Sequence, residues 1–560
     1  MPLSPATKRV LRTEGPAALN GVLAAGLAVA ATEFTAAFVR REAAPLVTVG
    51  QSVIDRTPRD VKEWAVRQFG TDDKLVLRIA VGVVLLIFAA LIGMLARRWL
   101  WTGVAGVAVL GVVTVGAAVS RPADRDTDVI PAIVGAVVGA VAIVLLTRPD
   151  LVRLPRRART PAAEPPEEPA ADGPPTEASG PGEDTGLADP PPAVPAGSTA
   201  VPAASPLTPS RRTLLLGSVG AGAVLAGLGR WLQNIRFDVG KSRANVVLPA
   251  PVAPAPAPAA GTDLGLPGLS PYVTPNKSFY RIDTALVVPE IRAEDWKLRI
   301  HGKVDREIEI DFATLSARPT IERDITLACV SNDVGGEYVG NARWLGVPLA
   351  DLLREAGVHP DADQLVSRSF DGMTIGTPTA TVMDGRDAIL AIGMNGEPLP
   401  IRHGFPVRMV VPGLYGYVSA CKWITEIEAT TFADYDAYWV QRGWAEHGPI
   451  KTQSRIDTPK NMSKVARGRV PVAGVAWAQH TGIANVEIQI DDEPWQQAQL
   501  AAENTVDTWR QFVWYWNAKP GPHRIRVRAT DRTGAVQTDE EQGVAPDGAT
   551  GWHTISMTIT

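Results

Sequence analysis

The sequence predicts a multi-domain chain: an α-helical membrane segment, then an α+β domain, then a β-sandwich. Three observations lead there. Four long apolar runs crowd the first third of the chain, all seven histidines lie at or after His301, and from Arg467 onward short alternating strands follow one another at sandwich-like spacing. The 560 residues exceed what one compact core organises. A formal net charge of −4, with no dominating basic patch, speaks against a nucleic-acid partner.

The apolar runs cover residues 16–39, 75–96, 100–120 and 129–146. Each is close to the roughly 20 residues that carry a helix across about 30 Å of hydrocarbon, and none has the polar face of a helix in a soluble core. Glu33, near the end of the first run, is the ionisable exception. After that run, Thr57 as N-cap, Pro58 at the first helical position and Val61, Trp64, Ala65 and Phe69 on one face predict a short amphipathic helix on the membrane surface. Residues 1–147 are therefore expected to form four membrane helices with a surface helix. Residues 148–209, rich in Pro, Ala, Glu and Gly, bury too little apolar surface to order and read as a linker. Residues 210–232 supply a fifth apolar helix, whose SRRTLLL start with Arg211 and Arg212 resembles a twin-arginine export signal. Five crossings from a cytoplasmic N-terminus put everything after Trp231 on the extracytoplasmic face. An extended Pro/Ala linker over 233–263 is expected to space the rest from the bilayer. A soluble unit over 264–455 and the sandwich over 456–560 complete the chain. In the former, LGVPLADLLREAGV reads as a helix closed by Gly357.

Two cysteines, Cys329 and Cys421, rule out a disulfide framework, CxxC zinc sites and cysteine-ligated iron–sulfur clusters. With no histidine before His301, the membrane helices cannot hold a haem between paired histidines. Cys329 ends the apolar stretch ITLA and opens a polar, Gly-rich loop that contains Asn332. A thiol at a strand end facing backbone N–H groups suits a thiolate that ligates or attacks. Taken alone, a single cysteine is more often a small buried hydrophobe, and Cys421 reads as such a packed residue.

The segment ITLACVSNDVGGEYVGNARWLGVPL resembles the cysteine loop of the sulfite-oxidase family, with Leu327, Cys329 and Asn332 in the loop and Trp344, Gly346, Val347, Leu349, Leu352, Leu353 and Gly357 after it. PNKSFYRID is similar to the family's first pterin-contacting strand, through Phe279, Tyr280 and Arg281. RHGFPVRMVVPGLYGYVSACKWITEIE resembles its most recognisable stretch. The residues from Gly474 to the C-terminal strands look like its immunoglobulin-like dimerisation domain. The resemblance runs from Ser270 to Thr560. It implies a molybdenum–molybdopterin cofactor with Cys329 as the metal ligand. Phe279, Tyr280, Arg281, His403, Arg408, the backbone around Ala420 and Lys422 would hold the cofactor. The residue types suit that role, because a phosphate and a pterin need fixed cations and hydrogen-bonding partners. A soft thiolate suits a metal whose other ligands are sulfur and oxygen.

Three departures leave the substrate open. No haem domain is visible. Trp444 stands where the family places its substrate-pocket tyrosine, and an indole N–H donates without titrating as a phenol does. Asp283 stands where another pterin-contacting histidine is aligned. Arg442 and Trp444 are the candidate substrate-pocket residues. The expected function is a membrane-anchored, extracytoplasmic oxidoreductase moving an oxygen atom or two electrons on a small or protein-bound S- or N-centred substrate. Its expected partners are membrane lipid, a separate electron carrier or quinone, and a second copy in a homodimer. The small-residue faces at Gly103, Gly106 and Gly111 and at Gly135 and Gly139 would let such a partner pack closely. The rival readings are an immunoglobulin-like binding or sensor module with a degenerate enzyme domain, and a transporter. Retention of Cys329 within its flanking motifs speaks against the first. The lack of paired intramembrane charges and broken helices speaks against the second.

Overall fold

The computed structural model describes residues 5–58, 73–121, 125–148, 211–236 and 238–560, with residues 61, 64, 65, 68 and 69 between the first two stretches. The helical region contains α1 (Pro5–Val39), α2 (Pro45–Arg56), α3 (Asp73–Arg98), α4 (Leu100–Val119), α5 (Val129–Thr147) and α6 (Arg211–Arg236). Among the described residues, five helices are long and apolar enough to cross a membrane. Their apolar surface stays outward, as in residues Val83, Leu86, Val112 and Val137. That arrangement suits a lipid environment and not a water-facing one.

α1 is the hub of this bundle. It runs parallel to α6, since Leu27, Phe34 and Phe38 meet Gly222, Gly229 and Arg236 in step. The glycine faces expected to receive a partner are used inside the bundle instead. Gly135 and Gly139 face Thr32 and Ala28 of α1, Gly103 faces Ala96, Gly106 faces Ile92, and Gly111 faces Ala136. Any added Cβ would lie within 3.2 Å of these neighbours. Close helix approach needs such small residues, and here the approach is intramolecular.

The surface-helix positions 61, 64, 65, 68 and 69 are helical, with Val61, Trp64 and Phe69 exposed. The linker from 149 to 209 lies outside the described residues, as do the side chains of Arg211 and Arg212. α2 was not foreseen. Pro45 at its first turn and the apolar set Leu46, Val49 and Val53 give it both a start signal and an apolar stripe.

The Pro/Ala segment before the soluble part does not stand away from it. Its backbone lies along the free edge of the strand that begins at Ile321, with Ala253 bridging Ile321 in parallel and Val252 N–H donating to Thr320. Arg343 donates to the Pro256 carbonyl at 3.0 Å, fixing the segment further along. Proline lacks a donor but keeps its carbonyl, so such a chain can cover an edge by accepting.

Two sheets build the α+β part. In one, β1 (Lys297–Gly302), β2 (Ile308–Asp311), β5 (Gln364–Ser369), β6 (Thr374–Pro378) and β10 (Ile424–Thr430) run in the order β2-β1-β10-β5-β6. In the other, β3 (Ile321–Ala328), β4 (Val339–Pro348), β7 (Ile389–Met394) and β8 (Glu397–Pro398) follow in order, and β9 (Arg408–Val410) pairs with β7. The helix α7 (Leu349–Ala356) buries Leu349, Leu352 and Leu353 against the main core, each contributing roughly 1.5–3 kcal/mol. Gly357, at φ 67°, closes it as expected.

The C-terminal part is a two-sheet sandwich. β11 (Gln453–Thr458), β13 (Gly468–Trp477), β16 (Gln499–Leu500) and β17 (Arg510–Ala518) form one sheet. β12 (Lys464–Val465), β14 (Ile483–Ile490), β15 (Gln496–Gln497), β18 (Gly521–Asp531) and β19 (His553–Ile559) form the other. A shared core of Val472, Phe512, Val486, Ile488, Val527 and Ile555 joins them. β11 crosses the boundary expected between residues 455 and 456, because its whole length pairs with β13.

Candidate active site

Cys329 follows the last residue of β3. Its N–H donates to the Tyr338 carbonyl at 2.9 Å, and its own carbonyl accepts from Asn332. The Asn332 side chain accepts from Tyr338 N–H at 2.7 Å, so the asparagine staples the loop across its neck. The sandwich braces the strand from outside. Thr326 takes hydrogen bonds from Gln479 and Trp509, and Arg455 donates to Gly336 at 2.7 Å. Trp477 and Trp509 pack with Ala328 and Val330 in one apolar cluster. The thiol therefore sits on a strand end held from two domains. Burial pushes its pKa up, against the Ser331 N–H and hydroxyl at the sulfur and the charge of Lys422.

A cleft opens from this sulfur, with about 860 Å³ of atom-free space including the solvent at its mouth. Its lining brings together Phe279, Tyr280, Cys329, His403, Arg408, Ala420, Lys422 and Trp444 from the expected set. Phe279 stacks on Tyr280 at 5.2 Å and meets Trp344 and His403 edge-on. The His403 Nε2–H donates to the Asn276 carbonyl at 3.2 Å, which leaves Nδ1 as an acceptor. Burial, with Arg408 and Lys422 nearby, drops the His403 pKa to about 3, so the ring is neutral.

Arg408 is buried under the Trp344 ring, 4.9 Å from its centroid. Its terminal nitrogens donate to the His403 and Ala420 carbonyls at 3.2 and 3.5 Å. Its Nε is buried and has no partner. Burial lowers its pKa to about 10. Gly404, at φ 108°, makes the site compact, since a Cβ there would lie 3.0 Å from Arg408 Cβ and 3.2 Å from Lys422.

Lys422 donates to Asp283 at 2.7 Å and to the Ile282 carbonyl at 3.1 Å. Burial pulls its pKa down to about 8 despite Asp283. Burial raises the Asp283 carboxyl, but Lys422, Lys74 and Arg281 outweigh it and hold the pKa well below the usual carboxylate range.

Two expected residues lie off the cleft wall. Arg281 grips Asp283 from behind, at 2.7 and 3.2 Å. Arg442 lies over the Tyr438 ring, 3.5 Å from its centroid, and donates to the Asp55 carbonyl of α2 at 3.3 Å. Sequence reasoning did not single out Asp371, Tyr417 or Trp439, which line the cleft. Burial pushes the Asp371 carboxyl up. The doublet YW and the acidic turn FDGM carried no signal without the fold. Cys421 is fully buried in the main apolar core, as a packed residue.

The donor set fits a pterin cofactor with an anionic end: a thiol for a metal, an orphaned guanidinium nitrogen, a buried ammonium, a neutral imidazole and stacked aromatic rings.

Residues 285–439 match the family described as oxidoreductase molybdopterin binding domain. The match holds Cys329, His403, Arg408 and Lys422, while Phe279–Arg281 and Arg442–Trp444 fall just outside it. The mitochondrial sulfite oxidase of Drosophila melanogaster is 30% identical over 326 residues, covering 49% of this chain and 56% of the fly protein. The uncharacterized oxidoreductase YuiH of Bacillus subtilis (strain 168) is 32% identical over 153 residues, covering 27% of this chain and 74% of that protein. The crystal structure of the sulfane dehydrogenase SoxCD from Paracoccus pantotrophus shares 23% identity over 50% of this chain and 80% of its own, with a TM-score of 0.45. The chain spans little more than half the length of the curated sulfite oxidases it matches. With the family model centred on the Cys329 cleft and most of YuiH covered, the chain belongs to the molybdopterin-binding oxidoreductases of the sulfite oxidase type.

Proposed function

We propose that this chain is a membrane-anchored molybdopterin oxidoreductase whose active site lies on the extracytoplasmic face and acts on a small or protein-bound substrate with an oxidisable or reducible S or N centre. The carrying observation is the single cleft that gathers the Cys329 thiol, neutral His403, Arg408 and Lys422. When bound, the molybdenum–pterin group supplies two-electron redox chemistry. Cys329 would ligate the metal as thiolate. Phe279 and Tyr280 would pack the pterin, and Arg408, Lys422 and the Ala420 backbone would hold its anionic end, with His403 accepting at Nδ1. Trp444 would present an indole to the substrate. Burial raises the pKa of both Asp371 and Tyr280 in the cleft. Arg442 would act from behind through Tyr438.

The anchoring part of the reading rests on the five apolar helices and on which of their ends meet the soluble domain. The C-terminal ends of α1 and α6 lie side by side, Arg41 just after α1 pairs with Glu290, and Lys74 at the start of α3 reaches Asp283. The soluble part meets the bundle where α1 and α6 end, which supports the reading of an odd number of crossings. The β-sandwich is read as immunoglobulin-like, with a homodimer as the assembly.

A redox-dye assay of the detergent-purified chain against sulfite, a panel of sulfoxides and a panel of N-oxides tests the substrate class. Turnover is expected on at least one S- or N-oxide. Turnover on sulfite alone would return the chain to oxidation of sulfite. The same preparation is expected to show no stoichiometric haem b band on reduction, because no histidine precedes His301. Electrons would then need a separate carrier or quinone, and a stoichiometric band would overturn that reading.

A further inference from the structure

Asp283 is one of the places where this chain departs from the resemblance to the family, and the structure surrounds it with three cations. Its side chain is only 3% exposed. One carboxylate oxygen accepts from Lys422 and Arg281, each at 2.7 Å. The other accepts from Arg281 at 3.2 Å and from Lys74 at 2.6 Å. Lys74 also donates to the Asp283 carbonyl at 2.9 Å. Lys422 and Asp283 line the cleft, whereas Lys74 comes from the first turn of α3, 209 residues away in the chain.

Lys74 does not reach over by accident of one side chain. The helical region meets the same rim at several points. Leu286 N–H donates to the Gln51 side chain at 3.2 Å, Tyr438 O–H donates to Asp55 at 3.0 Å, and Arg41 pairs with Glu290. Arg125 lies 5.8 Å from the Phe370 ring centroid, beside Asp371. α2 and the start of α3 therefore form a wall behind the Asp283 corner of the cleft.

Charge decides what this wall does. Lys422, Arg281 and Lys74 set three cations on the one Asp283 carboxylate. Without Lys74, only Lys422 and Arg281 would share it. A carboxylate shared among three cations neutralises less of Lys422, the one of the three on the cleft lining, than it would if Lys422 were its main partner. A histidine at position 283 would not need such an answer, but an aspartate would otherwise cancel a cation meant for the cofactor.

Resting on the cofactor assignment above, we propose that Lys74, supplied by the helical region, is a positioning residue of the molybdopterin site that occupies Asp283 from behind and leaves Lys422 to face the cofactor's anionic end. The helical region then completes the site as well as anchoring it.

The test uses the full chain in detergent, with molybdenum and pterin content per chain measured after dialysis at rising salt. Lys74→Ala is expected to retain cofactor about tenfold less well than wild type, in the range for residues that orient a site from its outer shell. Lys74→Arg is expected to restore retention. Arg41→Ala removes another ion pair between the helical region and the same rim and is expected to leave retention unchanged. Normal retention in Lys74→Ala, failure of Lys74→Arg to restore it, or an equal loss in Arg41→Ala would each overturn the proposal. A wild-type chain without pterin would sink the cofactor reading, and this inference with it.

Discussion

Cys329→Ala is expected to bring turnover to background while the chain still folds. The side chain is small and buried, so losing its sulfur costs about 1–2 kcal/mol of packing, which a domain with an extensive apolar core tolerates. The loop does not depend on the sulfur for its shape. Backbone bonds from Cys329 and Asn332 and the Asn332 side-chain staple survive the substitution. The chemistry does depend on it, because no other thiol reaches the cleft. Cys421 is sealed in the main core, where burial raises its pKa further. Thermal unfolding and protease resistance close to wild type, combined with background turnover, is the expected pair of results. Normal turnover in the variant would mean that the metal is held by other groups.

The second large effect concerns delivery. Arg211→Lys with Arg212→Lys is expected to leave α1, α3, α4 and α5 inserted while the domain after α6 stays in the cytoplasm. A folded domain carrying a cofactor needs an export route that tolerates folded cargo, and the SRRTLLL string is the candidate signal for one. Lysine keeps the charge, so a purely electrostatic topology rule would hardly notice the change. Protease added outside spheroplasts should digest the wild-type soluble domain and spare that of the variant. Equal digestion would reduce the arginine pair to an ordinary topological anchor.

What was legible in the sequence follows from how local each signal is. An apolar run of membrane length is local, and the helices 73–98, 100–119 and 129–147 begin and end within two or three residues of the expected runs. Cys329 and its loop were legible because a strand, a thiol and a Gly-rich loop are adjacent in the chain. The helix ending at Gly357 was legible for the same reason. Contacts between distant segments were not. Nothing near Lys74 in sequence points to Asp283, and nothing near Arg442 points to Asp55. The glycine faces were read as surfaces for a partner, yet periodicity cannot distinguish a neighbour in the same chain from one outside it. The Pro/Ala segment was read as a spacer, since its composition announces extension but not that Ala253 and Pro256 lie along an edge. α2 escaped because it is short and sits between a long apolar run and a stronger amphipathic pattern. Arg281 was expected at the cofactor but lies behind Asp283, where its guanidinium is held by the carboxylate two residues on, a contact that no local pattern announces.

The most direct measurement is the molybdenum and pterin content of the detergent-purified full chain, made in a host whose own molybdoenzymes are loaded. The account predicts one molybdenum and one pterin per chain, with the molybdenum lost in Cys329→Ala. A wild-type chain that carries neither under those conditions, or a Cys329→Ala variant that keeps its full molybdenum, would contradict it.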